Sequence, residues 1–200
     1  MSEPTREVEL KARVENLDAT RALIERAGAK LTVHARLRDR IYDSATGELS
    51  AQDIVLRLRR YETDTSVEAH LDWKGPTARE NGFKVRSELT TAVSDPAALE
   101  TMLGKLGYRI VGAIDREIMQ YSLNDGADTV SIRFEVYPRM DTLVEVEGTM
   151  AGIDRAVSLL GVPRDRFSAD RLADFVRADE LRTGPRAAIA DTDARVDEKP

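Results

Sequence analysis

Charged residues alternate with apolar residues along six short segments of the chain, and their types suit the binding of a metal ion and of phosphate groups. The alternating charges are Glu7/Glu9/Lys11, Arg57/Arg59, Asp72/Lys74, Lys84/Arg86/Glu88, Arg133/Glu135 and Glu145/Glu147. Neighbouring carboxylates such as Glu7 and Glu9 offer the hard oxygen ligands that Mg²⁺ and Mn²⁺ prefer. Arginine and lysine donate hydrogen bonds to phosphate oxygens. Carboxylates and cations that line one cavity would therefore hold a polyphosphate together with its metal ions.

The spacing of two residues places the charges of each segment on one face of a β-strand, because successive side chains of a strand point to opposite faces. For a single strand, the ordinary interpretation is a half-solvated antiparallel sheet whose charged face meets water. Six such strands favour a second interpretation, in which the sheet closes on itself, helices cover its apolar outer face and the charges line a tunnel. Both signs of charge are then required, since unpaired charges in a confined space carry a large desolvation cost.

Alternation and turn residues together predict eight strands, over Glu7–Val14, Leu37–Tyr42, Ile54–Tyr61, Ser66–Lys74, Gly82–Thr91, Asp115–Leu123, Thr129–Tyr137 and Thr142–Gly148. Apolar residues at spacings of three and four predict four helices, over residues 18–28, 96–107, 153–160 and 172–176. The expected N-caps are Asp18 for the first helix, Asp95 for the second and Ser168 for the last. From about Arg182 the chain loses periodicity, which predicts a disordered tail over 182–200.

The composition excludes several classes of protein and of site. The 200 residues are 42% apolar and 33% charged, enough apolar material for a packed core and too much for wholesale disorder. The absence of cysteine excludes disulfide scaffolds, thiolate zinc sites and cysteine nucleophiles. A net charge of −6 argues against binding of a nucleic-acid duplex, and no apolar stretch is long enough for a membrane span. We therefore expect a soluble cytoplasmic protein with neither nucleic acid nor membrane as a partner.

Seven short motifs occur along the chain in a characteristic order. The first four are E-x-E-x-K at Glu7–Lys11, D-x-x-x-D at Asp39 and Asp43, L-R-x-R at Leu56–Arg59 and W-K-G-P at Trp73–Pro76. The last three are Lys84/Arg86/Glu88 as a variant of R-x-E, Glu135–Pro138, and E-x-E at Glu145 and Glu147. This ordered set resembles the CYTH superfamily, the triphosphate tunnel metalloenzymes. The resemblance runs from about Glu7 to about Ala178. It implies an α+β fold in which an antiparallel, closed eight-stranded β-barrel forms a tunnel, with helices packed on the outside. It also implies that residues 1–181 are one tunnel domain.

The resemblance assigns roles to individual residues. It implies Mg²⁺ or Mn²⁺ as cofactor, bound by Glu7, Glu9, Glu135, Glu145 and Glu147. It implies a triphosphate held by Lys11, Arg57, Arg59, Lys74, Lys84, Arg86, Arg116 and Arg133, with Lys11 and Lys74 as catalytic residues. Arg133 faces the same way as Glu135 and is expected to replace a cation that the family carries on the preceding strand. Asp39 is either an orienting residue for the phosphate site or the ion-pair partner of an inward-facing arginine, and we favour the second role.

Two positions depart from the family pattern. Ile41 stands where the family has a tyrosine, and the adjacent Tyr42 should point to the opposite face of its strand. Ile118 stands where a second cation is expected after Arg116. Because triphosphatases of the family pair that tyrosine with a lysine, the resemblance favours a class IV adenylyl cyclase-like enzyme that converts ATP into cyclic AMP and pyrophosphate. The alternatives are a triphosphatase of tripolyphosphate or thiamine triphosphate, and a polyphosphate- or nucleotide-binding module without turnover. A monomer or a homodimer is expected.

Overall fold

The alternating segments fold as strands of one antiparallel sheet in the computed structural model of the chain, which describes residues 3–124, 126 and 128–183. The strands are β1 (Thr5–Arg13), β2 (Lys30–Ser44), β3 (Val55–Glu62), β4 (Val67–Lys74), β5 (Ala78–Glu80), β6 (Phe83–Ala92), β7 (Tyr108–Asn124), β8 (Thr129–Val136) and β9 (Leu143–Glu147). The helices are α1 (Leu17–Arg26), α2 (Glu48–Ala51), α3 (Pro96–Lys105), α4 (Met150–Leu159) and α5 (Leu172–Thr183). A 3₁₀ turn covers Arg164–Arg166.

Eight of these strands close into a barrel, as the sequence predicts. The order around the barrel is β1-β9-β8-β7-β2-β3-β4-β6, and β6 pairs back onto β1 to close it. The short strand β5 pairs only with the first part of β6 and is an addition to the barrel. In the register of β1, Glu9 lies opposite Lys84 of β6 on one side and opposite Glu147 of β9 on the other. Closure therefore brings residues distant in the sequence onto one inner face.

The main apolar core lies on the outside of the barrel, between the sheet and the helices. Leu10, Phe134 and Val146 on the strands pack in one buried cluster with Ile153 of α4 and Ile24 of α1. Since neighbouring side chains of a strand point to opposite faces, burial of these residues on the outer face turns the charged residues between them inward. The driving force for closure is thus the covering of the outer apolar face by helices.

Of the three helix N-caps predicted from the sequence, one is confirmed and two are wrong. Asp95 caps α3 by accepting a hydrogen bond from the amide of Ala98 at 2.9 Å, as predicted. The N-cap of α1 is Asn16 rather than Asp18, which lies in the first turn and stabilises the helix dipole instead. The prediction of Ser168 as a cap is wrong, because this residue forms an isolated β-bridge with Lys11 and α5 begins only at Leu172.

Strand lengths differ from the prediction where pairing extends past the alternating pattern. β2 and β7 run on beyond Leu37–Tyr42 and Asp115–Leu123 because the two strands pair with each other along almost their whole length. Apolar residues show no regular spacing in strand β5 and in the short helix α2, so neither element is predicted from the sequence. Of the predicted tail 182–200, residues 182 and 183 form the end of α5, and residues 184–200 lie outside the described residues. None of the described helices is both long and apolar enough to cross a bilayer.

Candidate functional site

A cavity of about 600 Å³ occupies the inside of the barrel and is lined by charged side chains from its strands. The charged strand residues at its wall are Glu9, Lys11, Asp39, Arg57, Arg59, Lys74, Lys84, Arg86, Arg116, Arg133, Glu135 and Glu145. All eight predicted triphosphate-binding residues are in this set, together with three of the five predicted metal ligands. The other two, Glu7 and Glu147, lie on the charged faces of β1 and β9 but do not line the cavity.

Asp39 is the centre of the cationic part of the wall. Arg59 holds it with two hydrogen bonds, from Nε to Oδ1 and from Nη2 to Oδ2, both 2.8 Å long. Arg116 donates from Nη1 to Oδ2 at 2.9 Å, and the carboxylate is fully buried. Burial alone raises the pKa of Asp39, but the charges of the surrounding arginines outweigh this effect and hold the pKa well below its usual value. The expected role of Asp39 as an ion-pair partner agrees with this geometry.

Lys11 is the centre of the acidic part of the wall. Its Nζ donates to Oε1 of Glu9 at 2.5 Å and also pairs with Glu145. Burial by itself lowers the pKa of Lys11, but the charges of Glu145 and Glu9 raise it above the usual lysine value. Lys84 donates to the same oxygen of Glu9 at 2.6 Å. Lys11 is therefore a fixed positive charge, and its ammonium group is held by two carboxylates.

Glu135 joins the two parts of the wall. Its Oε1 accepts hydrogen bonds from Nε of Arg116 at 3.0 Å and from Nε of Arg133 at 3.2 Å. Burial raises the pKa of Glu135, and the charges of Arg116 and Arg133 reverse this and lower it to about 2. The hydroxyl of Tyr137 donates to Oε2 at 2.5 Å. Arg133 also pairs with Glu145, which confirms the predicted common face of Arg133 and Glu135.

Glu7 and Glu147, the two predicted metal ligands outside the cavity wall, differ in how well protein cations compensate them. Burial raises the pKa of Glu7, but the charges of Lys74 and Lys84 lower it to about 2. Its Oε1 accepts a hydrogen bond from Lys74 at 2.6 Å, whereas its buried Oε2 has no hydrogen-bond partner among the described residues. Burial, together with the charges of Glu145 and Glu7, raises the pKa of Glu147 to about 7. A divalent cation near β1 and β9 would relieve the repulsion between these carboxylates.

The predicted carboxylate ligands are therefore of the chemical type that a hard divalent cation binds, although several of their oxygens accept hydrogen bonds from lysines. In the part of the chain that the structure describes, no three acidic or histidine side chains lie close enough together to hold a metal ion. Glu9 and Glu145 are both engaged by Lys11. Binding of a cation by these carboxylates requires that some lysine–glutamate pairs open, and phosphate oxygens are the natural new partners for the released ammonium groups.

Arg86 has a different position from the other predicted phosphate ligands. Its Nε donates to the carbonyl oxygen of Gly75 at 2.6 Å, and its Nη2 donates to that of Asp53 at 2.7 Å. Asp53 has a φ of 53°, in the left-handed region that non-glycine residues rarely adopt. Its carboxylate accepts a hydrogen bond from the amide of Thr77 at 2.7 Å. Arg86 thus ties the turn after β4 to Asp53 in the segment before β3, and both Arg86 and Asp53 line the cavity.

Asp43, the second acid of the D-x-x-x-D motif, stabilises a local turn and does not line the cavity. Its Oδ1 accepts a hydrogen bond from the amide of Leu49 at 2.9 Å, and its Oδ2 accepts from the amide of Ser50 at 2.9 Å. Together with the Ser50 hydroxyl, which donates to Oδ2, these bonds lower the pKa of Asp43 to about 2. The acid therefore fastens helix α2 to the end of β2.

The apolar and C-terminal part of the cavity wall is not predicted from the sequence. Ile41, Val55 and Ile114 contribute apolar side chains from the strands, and α5 adds a second group of residues, namely Leu172, Ala173, Val176, Arg177 and Glu180. Ile41 lines the cavity as expected, and Tyr42 is buried on the other face against Leu58 and Leu103. The pattern of α5 predicts an ordinary outer helix, because apolar residues at helical spacing do not show which surface they cover.

The sequence matches the family model of the CYTH domain over residues 5–147. The chain belongs to the CYTH domain family. This is a family of phosphoryl-transfer and triphosphatase enzymes, and the closed barrel with its charged interior is consistent with membership. No match to the sequence is found among curated proteins. The family assignment therefore rests on the domain model and on the fold.

Solved structures with the same fold share little sequence with this CYTH chain. The PH1819 protein from Pyrococcus horikoshii has a TM-score of 0.68 and 19% identity, over 90% of this chain and 99% of that one. A candidate adenylate cyclase from Vibrio parahaemolyticus has a TM-score of 0.67 and 18% identity, over 86% and 97%. HpAC1 from Hippeastrum, a candidate adenylyl cyclase with a dominant triphosphatase activity, has a TM-score of 0.60 and 15% identity, over 89% and 96%. At these identities the likeness establishes the fold alone.

Replacement of Asp39 by asparagine should lower the free energy of unfolding at neutral pH by about 3–5 kcal/mol, because buried arginines lose their shared negative partner. The pKa of Asp39 is depressed in the folded state. Its contribution is therefore complete above its unfolded pKa, near 3.8, and is lost as the pH falls through the lower folded value. Urea denaturation from pH 7 to about pH 2 should show the difference between wild type and variant shrinking below pH 4. Asp64→Asn, in the exposed turn between β3 and β4, is the control, and a pH-independent difference would contradict the prediction.

Replacement of Arg86 by lysine should loosen the cavity wall, because one ammonium group cannot reproduce the fork that reaches two carbonyl oxygens. Hydrogen exchange of the Gly75 and Thr77 amides should become about tenfold faster, as expected for the loss of one or two net hydrogen bonds. Arg79→Lys, on exposed strand β5, is the matched control. Unchanged exchange in Arg86→Lys, with weakened binding of tripolyphosphate, would show instead that Arg86 contacts phosphate directly.

Proposed function

We propose that this CYTH enzyme is a metal-dependent, class IV adenylyl cyclase-like protein that converts ATP into cyclic AMP and pyrophosphate inside its barrel. The observation that carries the proposal is the set of cations at the cavity wall, which provides donors for a triphosphate along several strands. Arg57, Arg59 and Arg116 are held in place by carboxylates, so their geometry exists before the ligand binds. Such preorganised donors stabilise the charge that develops on phosphate oxygens during the reaction.

The cyclase reaction exchanges one bond to the α-phosphorus for another. The ribose 3′-hydroxyl gives up its proton to solvent as its oxygen bonds to the α-phosphorus, the bond between the α-phosphorus and its bridging oxygen breaks, and pyrophosphate leaves with the electron pair. Lys11 cannot act as the base, because its ammonium group is engaged by Glu9 and Glu145 and its pKa is raised. Its role is to supply fixed positive charge. Lys74, paired with Glu7 and Glu88, would supply a second positive charge to the phosphates.

The proposed metal site is formed by carboxylates of neighbouring strands. Glu7 and Glu9 of β1 with Glu145 and Glu147 of β9 would hold Mg²⁺ or Mn²⁺, and Glu135 would complete the acidic wall. When bound, the ion neutralises phosphate charge and makes the attacking hydroxyl more acidic. The unpartnered Oε2 of Glu7 supports the need for an added cation. The cytoplasmic location, the absence of nucleic-acid or membrane partners and the monomeric or homodimeric state remain predictions.

A triphosphatase is the second candidate. In that reaction water attacks the terminal phosphorus of the triphosphate, and the bond between that phosphorus and its bridging oxygen breaks. The diphosphate part is the leaving group, and the terminal phosphorus is released as orthophosphate. The observation in its favour is the shared fold with HpAC1 from Hippeastrum, a protein with a dominant triphosphatase activity. Against it stands Ile41, which lines the cavity and has no group that could orient or activate water. A binding module without turnover would bind triphosphates through the same basic residues and would form neither cyclic AMP nor orthophosphate.

Product analysis separates these functions. The purified chain is incubated with Mg²⁺ or Mn²⁺ and with ATP, tripolyphosphate or thiamine triphosphate in turn. Cyclic AMP with an equal amount of pyrophosphate is the expected result with ATP. Release of orthophosphate without cyclic AMP would show that the chain is a triphosphatase and not a cyclase. Tight binding of tripolyphosphate, with no product from any substrate, would leave only the binding module.

A variant of Arg133 tests whether the basic residues at the cavity wall bind a triphosphate. Replacement of Arg133 by glutamine should weaken binding of tripolyphosphate by about ten- to a hundredfold, which is the usual worth of one charge-assisted hydrogen bond. Arg36→Gln is the control, because Arg36 lies on the outer face of β2 between buried Ala35 and Leu37. Calorimetric titration gives both affinities, and circular dichroism verifies that the variants fold. Equal losses in the two variants would contradict a direct role of Arg133.

A further inference from the structure

Tyr137 lies behind the cavity wall and contacts one of the carboxylates that line the cavity. It directly follows β8 and is buried, and its hydroxyl donates to Oε2 of Glu135 at 2.5 Å. Its ring packs in an apolar cluster with Leu143 of β9 and Phe175 of α5. Because the ring is packed in this cluster, the position of the hydroxyl is fixed, and with it that of one oxygen of Glu135.

The other oxygen of Glu135 is shared by two arginines that line the cavity. Oε1 accepts hydrogen bonds from Nε of Arg116 at 3.0 Å and from Nε of Arg133 at 3.2 Å. Nη1 of Arg116 also donates to Oδ2 of Asp39 at 2.9 Å. Nη2 of Arg133 also donates to Oε1 of Glu145. Each guanidinium group is therefore fixed at two points, by Glu135 and by a second carboxylate.

Each of the two guanidinium groups keeps one amino group for a ligand. Among the residues that the structure describes, none accepts a hydrogen bond from Nη2 of Arg116 or from Nη1 of Arg133. A guanidinium group is planar, so two fixed nitrogens set the direction of the third. The carboxylate of Glu135 therefore sets where two hydrogen-bond donors point inside the cavity.

The partners of Glu135 differ from those of the neighbouring carboxylates. Glu9 and Glu145 both pair with Lys11, and an ammonium group on the flexible stem of a lysine can turn to a phosphate oxygen when a metal ion binds. Within the described part of the chain, no lysine forms an ion pair with Glu135. The exchange of partners that would free Glu9 for a metal ion is therefore not open to Glu135.

A metal ion at Glu135 would be repelled by the charges that surround this carboxylate. Two guanidinium groups lie within hydrogen-bond distance of Oε1, and an arginine does not lose its proton in a protein. Oε2 already accepts a hydrogen bond from Tyr137. The guanidinium group of Arg116 also lies 6.0 Å from the centre of the Tyr137 ring, a favourable distance for a cation near an aromatic face. These surroundings stabilise arginines next to Glu135 and disfavour a divalent cation.

We propose that Tyr137 is a positioning residue for phosphate binding, because it holds Glu135 as the shared anchor of two arginines, and that Glu135 is not a metal ligand. This inference rests on the proposed function, since it presumes that Arg116 and Arg133 bind phosphate. It removes Glu135 from the ligand set that the resemblance implies and leaves the metal ion to the other four carboxylates. It also adds to the phosphate site a residue that does not line the cavity.

The variant Tyr137→Phe tests this role, because it removes the hydroxyl and changes neither the ring nor the charge. Its affinity for tripolyphosphate, measured by titration calorimetry in EDTA, should be about fivefold lower, since the ligand then has to order the arginines. Its affinity for Mn²⁺, measured by electron paramagnetic resonance without triphosphate, should equal that of the wild type. Tyr108→Phe is the matched control, because Tyr108 packs against the apolar cluster of Tyr42 and Leu103 and does not line the cavity.

Side-chain NMR supplies a signature that a general loss of stability would not give. Hydrogen exchange at Nε of Arg116 should be about tenfold faster in Tyr137→Phe, as expected when about one net hydrogen bond is weakened. Exchange at Nε of Arg59, which donates to Asp39, should be unchanged. In the wild type, saturating Mg²⁺ should leave exchange at Nε of Arg116 unchanged, because Glu135 keeps its arginines. The last measurement needs no change to the tyrosine.

The outcomes separate this inference from the proposed function. An unchanged affinity of Tyr137→Phe for tripolyphosphate, or an equal loss in Tyr108→Phe, would overturn the positioning role. A loss of Mn²⁺ affinity of about tenfold or more in Tyr137→Phe is the usual effect of removing the hydrogen-bond partner of a metal ligand, and would show that Glu135 binds the metal. Faster exchange at Arg116 in the presence of Mg²⁺ would show the same. Failure of the wild type to bind tripolyphosphate would overturn the proposed function, and this inference with it.

Discussion

Mutual neutralisation of buried charges inside the barrel is the interaction on which the rest of the structure depends. Closure of the sheet removes the inward-facing carboxylates and cations from bulk water, and each would be too costly to bury alone. Asp39 is acceptable inside the barrel because Arg59 and Arg116 hold it. Lys11 is acceptable because Glu9 and Glu145 surround it. The apolar outer face drives closure, and these pairs make closure possible.

The same pairs shape the chemistry of the cavity. Arginines fixed by carboxylates cannot reorient freely, so a bound triphosphate meets donors whose positions already exist, and less free energy is lost to ordering them. The lysines are different, since they occupy carboxylate oxygens that a divalent cation would use. A metal and a triphosphate together can exchange partners with these pairs, the cation with the carboxylates and the phosphates with the ammonium groups. Oε2 of Glu7 has no hydrogen-bond partner among the described residues, although the charges of Lys74 and Lys84 hold the pKa of this carboxyl at about 2.

The two departures from the family pattern have different surroundings. Ile41 lines the cavity, whereas Ile118 is buried in an apolar cluster with Ala35 and Leu37. Each is an apolar residue where the resemblance leads one to expect a polar one. Only the first of them therefore changes the surface of the cavity itself.

The sequence by itself determined the barrel and the polarity of its interior, because alternation at a period of two assigns every charged side chain to one face of its strand. All the predicted cations reached the cavity for this reason. Tertiary structure decided which charges meet. In the tertiary structure Arg86 donates hydrogen bonds to backbone carbonyls and Asp43 stabilises a local turn, while Glu7 and Glu147 do not line the cavity. Tertiary structure also placed α5 against the cavity. These outcomes depend on register, barrel closure and helix docking, which join residues far apart in the chain and leave no periodic trace in it.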